Sequence, residues 1–255
     1  MKRLVLLITL LGLMGCAGNR PKSGWKAEEY FQYAKSLFND EDYLISSQEF
    51  QIIMLRFPGS SIADSAQFYL AESHFMMEEY IVAAAEYEKL INNMPKSPLV
   101  PDAQFKLAES YYHLSPRPAL DQKYTLMAIR AYQNFIEDNP THKLKENAER
   151  RIAELRDKLA MKAYTNAEIY RKMKKYRAAI IYYKEVLEKY YDSDLLDEAQ
   201  YGIIEANYEA GNYNDAAREI EKFRERFPQS PLKEKVDELA AEVQTELAAQ
   251  DDHAY

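Results

Sequence analysis

Side chains able to do chemistry are few and scattered. The chain holds one cysteine, Cys16, and four histidines, His74, His113, His142 and His253, none of them in a His-Glu-x-x-His pair that would set two imidazoles on one helical face around zinc. No glycine-rich run has the spacing of a phosphate-cradling loop. The acidic doublets Glu78-Glu79 and Asp251-Asp252 fall at expected helix ends and in the tail, where solvated capping accounts for them. A lone cysteine rules out an internal disulfide and a multi-cysteine zinc site. The expectation is a protein with no catalytic residues, no metal, no cofactor and no small-molecule substrate, although an acid and base brought together from distant helices would leave no such trace. Only Cys16 stands in a setting that predicts covalent chemistry.

That setting is an address. Met1-Lys2-Arg3 is basic, Leu4 to Leu13 is an apolar run, and Gly15 directly precedes the cysteine. The run has the length of a signal-peptide core and is too short to cross a hydrocarbon layer of roughly 30 Å as a helix. Leu13, Gly15 and Cys16 resemble a bacterial lipobox, which implies cleavage after residue 15 and acylation, palmitate included, of the Cys16 thiol. An ordinary signal peptide with an incidental cysteine is the plainer alternative. Residues 16 to 24, polar and containing Gly18, Pro21 and Gly24, read as the lipidated tether. Ala17 lacks the acidic residue that retains lipoproteins at the inner membrane of enteric bacteria, so the analogy implies the outer membrane, facing the periplasm.

Elements that position everything else must be helical. Seven glycines and ten prolines in 255 residues are too few for the tight turns of a sandwich or barrel, while 47% hydrophobic residues suffice for a core. With 33 basic against 41 acidic residues the net charge is -8, which disfavours a nucleic-acid binder that neutralises phosphates.

A repeat organises the chain. Ala66-Gln67-Phe68-Tyr69-Leu70-Ala71-Glu72-Ser73 returns 37 residues later as Ala103-Gln104-Phe105-Lys106-Leu107-Ala108-Glu109-Ser110. Tyr43, Tyr80, Tyr176 and Tyr213 are spaced 37, 96 and 37 apart, each followed at three residues by Ser46, Ala83, Ala179 or Ala216 and four further on by Phe50, Tyr87, Tyr183 or Ile220. A small residue lets two antiparallel helices approach, a large one fills the gap, and Pro58, Pro95 and Pro228 stop the second helix. This pattern resembles the tetratricopeptide repeat. A further unit emerges from Ala128, Tyr132, Phe135 and Pro140 if about eight extra residues around Ser115-Pro116-Arg117-Pro118 lengthen its turn. The expected fold class is all-α, a superhelical stack of five helix hairpins with a C-terminal capping helix over 232–249. Helical spacing of Ile152, Leu155 and Leu159 predicts one long helix over 143–173, taken as the joint between an N-terminal block of three repeats (25–142) and a C-terminal block of two with the cap (143–255).

First helices of such a stack line its concave side. Phe31, Lys35 and Phe38, then Phe68, Glu72 and Phe75, then Phe105, Glu109 and Tyr112 are expected there, with Tyr164 and Tyr201 behind them. An aromatic strip carrying a few charges suits an extended or aromatic-ended peptide; the alternative is that these rings only pack between helices.

The lipobox, the tether and the repeats together resemble the BamD family of the outer-membrane β-barrel assembly machinery. The most specific match is Ala148-Glu149-Arg150-Arg151-Ile152-Ala153-Glu154-Leu155-Arg156-Asp157-Lys158-Leu159-Ala160, followed by Ala167-Glu168-Ile169-Tyr170. Asp121-Gln122, Thr125, Ala128, Phe135-Ile136 and Pro140 are similar to the family's third repeat. The resemblance implies a scaffold that docks on a BamA-like barrel subunit through C-terminal repeats, receives unfolded outer-membrane β-barrel precursors at its N-terminal repeats, and meets the membrane through its lipid. On charge and position, Arg171, Lys175, Tyr176, Arg177 and Tyr213 are the docking candidates. The other reading is a periplasmic tetratricopeptide adaptor for cell-envelope or division machinery.

Overall fold

A computed structural model describes residues 24–252. The signal segment, Cys16 and the tether before Gly24 lie outside the described residues. Every regular element within them is a helix: α1 (Ala27–Asn39), α2 (Tyr43–Arg56), α3 (Ala63–Met76), α4 (Tyr80–Asn93), α5 (Val100–Leu114), α6 (Lys123–Asp138), α7 (Lys145–Lys172), α8 (Tyr176–Lys189), α9 (Leu196–Glu209), α10 (Tyr213–Arg226) and α11 (Lys233–Asp252). None is long and apolar enough to cross a membrane.

Two kinds of turn join them, and both are local chemistry. At the turns α1–α2, α3–α4, α7–α8 and α9–α10 one residue takes the left-handed conformation: Glu41 (φ 64°), Glu78 (60°), Lys174 (58°) and Gly211 (75°). The next amide then reaches five residues back, Asp42 to Leu37, Glu79 to His74, Lys175 to Tyr170 and Asn212 to Asn207, each at 2.9 Å, which satisfies a carbonyl that the ending helix leaves open. The turn between hairpins closes differently. Ser60, Ser97, His142, Ser193 and Ser230 donate their amides to the carbonyl three residues earlier. The side chains of Ser97, His142, Ser193 and Ser230 then accept the amide two residues on, at 3.0–3.3 Å. Tyr191 replaces the usual proline without altering this geometry, because Ser193 makes the closing bonds.

Repeat spacing sets the core. Ser46, Ala83, Ala179 and Ala216 are fully buried, as are Phe50, Tyr87 and Tyr183. Tyr132 and Phe135 of α6 are buried likewise.

The chain divides into two compact units, one ending at Leu114 and one beginning at Ser115. In the first, α1 packs on α2 and α3, α2 on α3, α3 on α4, and α4 on α5. In the second, successive helices from α6 to α11 pack pairwise and α7 also meets α9. This division falls inside the expected third repeat rather than at 142/143. Its cause is the grip of α7 on the segment before α6: the Lys158 amine donates to Ser115 Oγ (2.8 Å) and Lys162 to the carbonyls of Leu120 (2.7 Å) and Pro118 (3.2 Å). Gln122 donates to the carbonyls of Arg117 and Leu120 from within the same segment. The expected long helix is present as α7, 28 residues or about 42 Å, with Leu155 and Leu159 on its buried face.

Candidate protein-binding faces

Residues 31, 35 and 38 recur at helical spacing and so share one face of α1. Phe31 lies 5.6 Å from Phe50 and 6.0 Å from Tyr69, and Phe38 lies 5.3 Å from both Tyr43 and Tyr69. The Lys35 ammonium sits between them, 3.4 Å from the centre of the Tyr69 ring and 4.6 Å from that of Phe38. No carboxylate pairs with it among the described residues. Its charge is held by ring faces, which attract a cation without neutralising it.

One repeat on, the same positions are differently filled. Phe68 lies 5.9 Å from Tyr87, and Phe75 lies 5.3 Å from Tyr80 and 5.5 Å from His113. Glu72 accepts the Tyr87 phenol and the Lys106 amine, the latter at 3.0 Å; that amine is also 4.4 Å from the Phe75 ring centre. Burial first, and the Glu72 charge second, push the Tyr87 phenol far above its usual range. Phe105 is buried, as the packing alternative expects, and Glu109 and Tyr112 are half-buried on α5.

Phe31, Lys35 and Phe38 thus form one cluster and Phe68, Glu72 and Phe75 a second. Sequence reasoning missed Tyr69 and Lys106, which complete them. The signal was present: these two are the first mismatch in the eight-residue internal repeat, and each reaches back to the preceding first helix.

In the C-terminal unit Tyr164 packs edge-on to Tyr183, at 5.7 Å. Arg171 occupies the place that Phe75 holds in the first unit and bridges Glu168 (3.4 Å), Glu205 (3.4 Å) and Glu209 (2.8 Å). Burial opposes charge on Arg171, yet Glu205 and Glu168 outweigh it and raise its pKa. Burial would also raise Glu168, but bonds from Tyr183 and Arg171 pull its carboxyl below the ordinary value, while burial keeps Glu205 above it. Of the docking candidates Arg171 is therefore engaged internally. Lys175, Tyr176 and Arg177 gather at the α7–α8 turn around a shallow depression of about 500 Å³ that Lys174 and Asn212 also line. Tyr213 stands one repeat further, against Tyr208 at 5.7 Å.

No curated protein matches the chain. Among solved structures it is similar to a tetratricopeptide repeat protein from Parabacteroides merdae, with 15% identity over 87% of this chain and 73% of that one and a TM-score of 0.38. The TPR2AB domain of yeast Sti1, from its complex with pHSP90, shares 13% identity over 89% and 86%, with a TM-score of 0.43. A thermophilic tetratricopeptide protein from Thermus thermophilus shares 16% over 88% and 100%, with a TM-score of 0.37. Residues 198–230 match a tetratricopeptide repeat model. Residues 24–199 match the model of the outer membrane lipoproteins named YfiO, so the chain belongs to that family, the BamD lipoproteins.

Proposed function

We propose that the protein is a non-enzymatic scaffold of outer-membrane β-barrel assembly, anchored through acylated Cys16 on the periplasmic side of the outer membrane. Family membership and a fold built of stacked helix hairpins, whose faces bind proteins rather than transform them, support this reading. In it the N-terminal unit receives unfolded β-barrel precursors, and the C-terminal unit docks on a BamA-like barrel subunit near Lys175, Tyr176, Arg177 and Tyr213.

One observation carries the precursor half: Lys35, a cation held by Tyr69 and Phe38 with no carboxylate partner among the described residues, beside the half-buried Phe31. An aromatic side chain that ends in a free carboxylate matches such a wall in both shape and charge. The test is fluorescence anisotropy with a labelled ten-residue peptide from the C-terminus of an outer-membrane barrel, ending in phenylalanine. Tight binding that falls about tenfold on amidation of the peptide, and equally in Lys35→Met, is expected. Equal affinity for the acid and amide forms would remove Lys35 from the reading.

A further inference from the structure

The first unit shows five of its exposed large apolar side chains along one edge, and that edge serves neither face described above. Leu44 (59% exposed), Ile45 (39%), Ile81 (61%) and Val82 (41%) open α2 and α4, and Met76 (47%) ends α3. A hydrogen bond between Ser46 and Ser73, 3.2 Å between hydroxyl oxygens, ties the start of α2 to the end of α3 and brings the α1–α2 and α3–α4 turns together. Those turns carry Asp40, Glu41, Asp42, Glu78 and Glu79, all exposed. Among the described residues only Glu79 has a side-chain partner that can donate to it, His74 Nδ1 at 2.7 Å.

Contrast within the chain sets this edge apart: the corresponding α7–α8 turn of the second unit exposes one large apolar side chain, Met173 (55%), and sets it among basic residues. At the corresponding repeat positions of the second unit stand Lys172 for Met76, Lys174 for Glu78, Lys175 for Glu79 and Arg177 for Ile81. The same turn geometry is kept, with φ of 60° at Glu78 and 58° at Lys174, so the backbone does not require acid or apolar residues there. Clustered exposed apolar groups mark an interaction surface, and a rim of one charge selects the opposite charge in the partner. We propose that this hairpin-turn edge docks a cationic amphipathic segment of a partner protein: its apolar side chains cover Leu44, Met76 and Ile81, and its lysines or arginines meet Glu41 and Glu78.

The probe is a fluorescein-labelled 14-residue peptide of leucines and lysines at helical spacing, titrated by anisotropy against the full chain, beside a peptide with glutamate for each lysine. The lysine peptide binds and the glutamate peptide does not. Affinity falls at least tenfold in Glu41→Lys/Glu78→Lys and at least fivefold in Leu44→Ser/Ile81→Ser, both substitutions lying on exposed side chains. Glu221→Lys/Glu225→Lys on α10 leaves it unchanged. An equal fall in the α10 variant would reduce the effect to net charge, and undiminished binding in the edge variants would place it elsewhere; either overturns the proposal. So would sedimentation showing that the chain self-associates and that Lys174→Glu/Lys175→Glu dissociates it, because the occupant would then be a second copy.

Discussion

Tyr69 and Lys106 hold the same position in successive repeats, and each crosses to the preceding first helix to complete a cation–aromatic pair, Tyr69 to Lys35 and Lys106 to Phe75. The cation has changed sides. Lys35 becomes Glu72 one repeat on, and its ring partner becomes the lysine. In the second layer the carboxylate is therefore neutralised from within, while in the first the ammonium keeps its charge.

Removing Lys106 tests that asymmetry. Glu72 is 12% exposed at its side chain and would keep only the Tyr87 phenol, so Lys106→Met is expected to cost about 1–3 kcal/mol, the range for a poorly solvated charge losing its partner. Lys35→Met strands no carboxylate and should cost less than about 1 kcal/mol. Urea denaturation of the two variants decides it, and equal costs would mean that the Glu72 pair is no stronger than a surface contact.

Gly202 takes the Lys106 position in the C-terminal unit, and there the reason is steric. A Cβ on Gly202 would overlap the Tyr183 ring, whose phenol donates to Glu168. Helix interiors disfavour glycine by about 1 kcal/mol, so Gly202→Ala would stabilise α9 if the space were free. Overpacking against a buried ring costs about 1–3 kcal/mol and reverses the sign. Thermal melting should show Gly202→Ala below the parent and Gly202→Ala/Tyr183→Leu partly recovered; an alanine variant that melts higher would refute the close approach.

Much of this architecture was legible beforehand. The 37-residue step, the small and large core positions and the extent of α7 all follow from period and side-chain size, which act locally. The unit boundary at Ser115 was not, because it depends on Lys158 reaching more than 40 residues back to the Ser115 hydroxyl and Lys162 to the Leu120 carbonyl, a pairing without a spacing rule. Arg171 stood among the docking candidates on charge and position, and its internal partners had no trace in the spacing for the same reason: Glu205 and Glu209 reach it from another helix. Phe31 and Phe38 are expected on the groove side of the first helix, but the ring that joins them, Tyr69, comes from α3.

Alkaline pH should destabilise the fold through its buried phenols. Burial, with hydrogen bonds and charge from Glu49, pushes Tyr30 up to about 12, and burial with Glu205 does the same for Tyr201. Tyr87 and Tyr183 are raised further by burial and their glutamate acceptors. The unfolded chain loses these protons near pH 10 and the folded chain does not, so the native state binds more protons and stability falls as pH rises above 10. Denaturation midpoints should be flat from pH 7 to 9 and drop by pH 11, with tyrosinate absorbance appearing alongside unfolding. Early ionisation of all tyrosines in a fully folded protein would contradict the buried bonds.

Left-handed residues offer a gain. Glu41, Glu78 and Lys174 adopt the conformation that Gly211 adopts at the equivalent turn, and a side chain there costs about 1–2 kcal/mol. Glycine relieves that strain but adds freedom to the unfolded chain, which returns about 0.5–1 kcal/mol of the gain. Lys174→Gly should therefore raise stability by about 0.5–1 kcal/mol, whereas Gly211→Lys should lower it by a similar amount. Glu78→Gly separates backbone from charge, because it removes an anion where Lys174→Gly removes a cation: urea denaturation should show a gain in both if backbone strain is the cause, and changes of opposite sign would assign the effect to charge.

The segment from Ser115 to Gln122 supplies the last test. It has no regular structure and is held by two amines of α7, with the Lys158 pKa lowered by burial. A charge-assisted hydrogen bond is worth about 1.5–3 kcal/mol, and less at the exposed Leu120 carbonyl than at the part-buried Ser115 hydroxyl, so losing both amines shifts a local opening equilibrium by roughly tenfold or more. Lys158→Met/Lys162→Met should speed amide exchange of residues 115–122 by at least tenfold and leave α9 to α11 protected. Acceleration spread evenly over α6 to α11 would mean that the amines support the whole unit rather than fasten this segment to it.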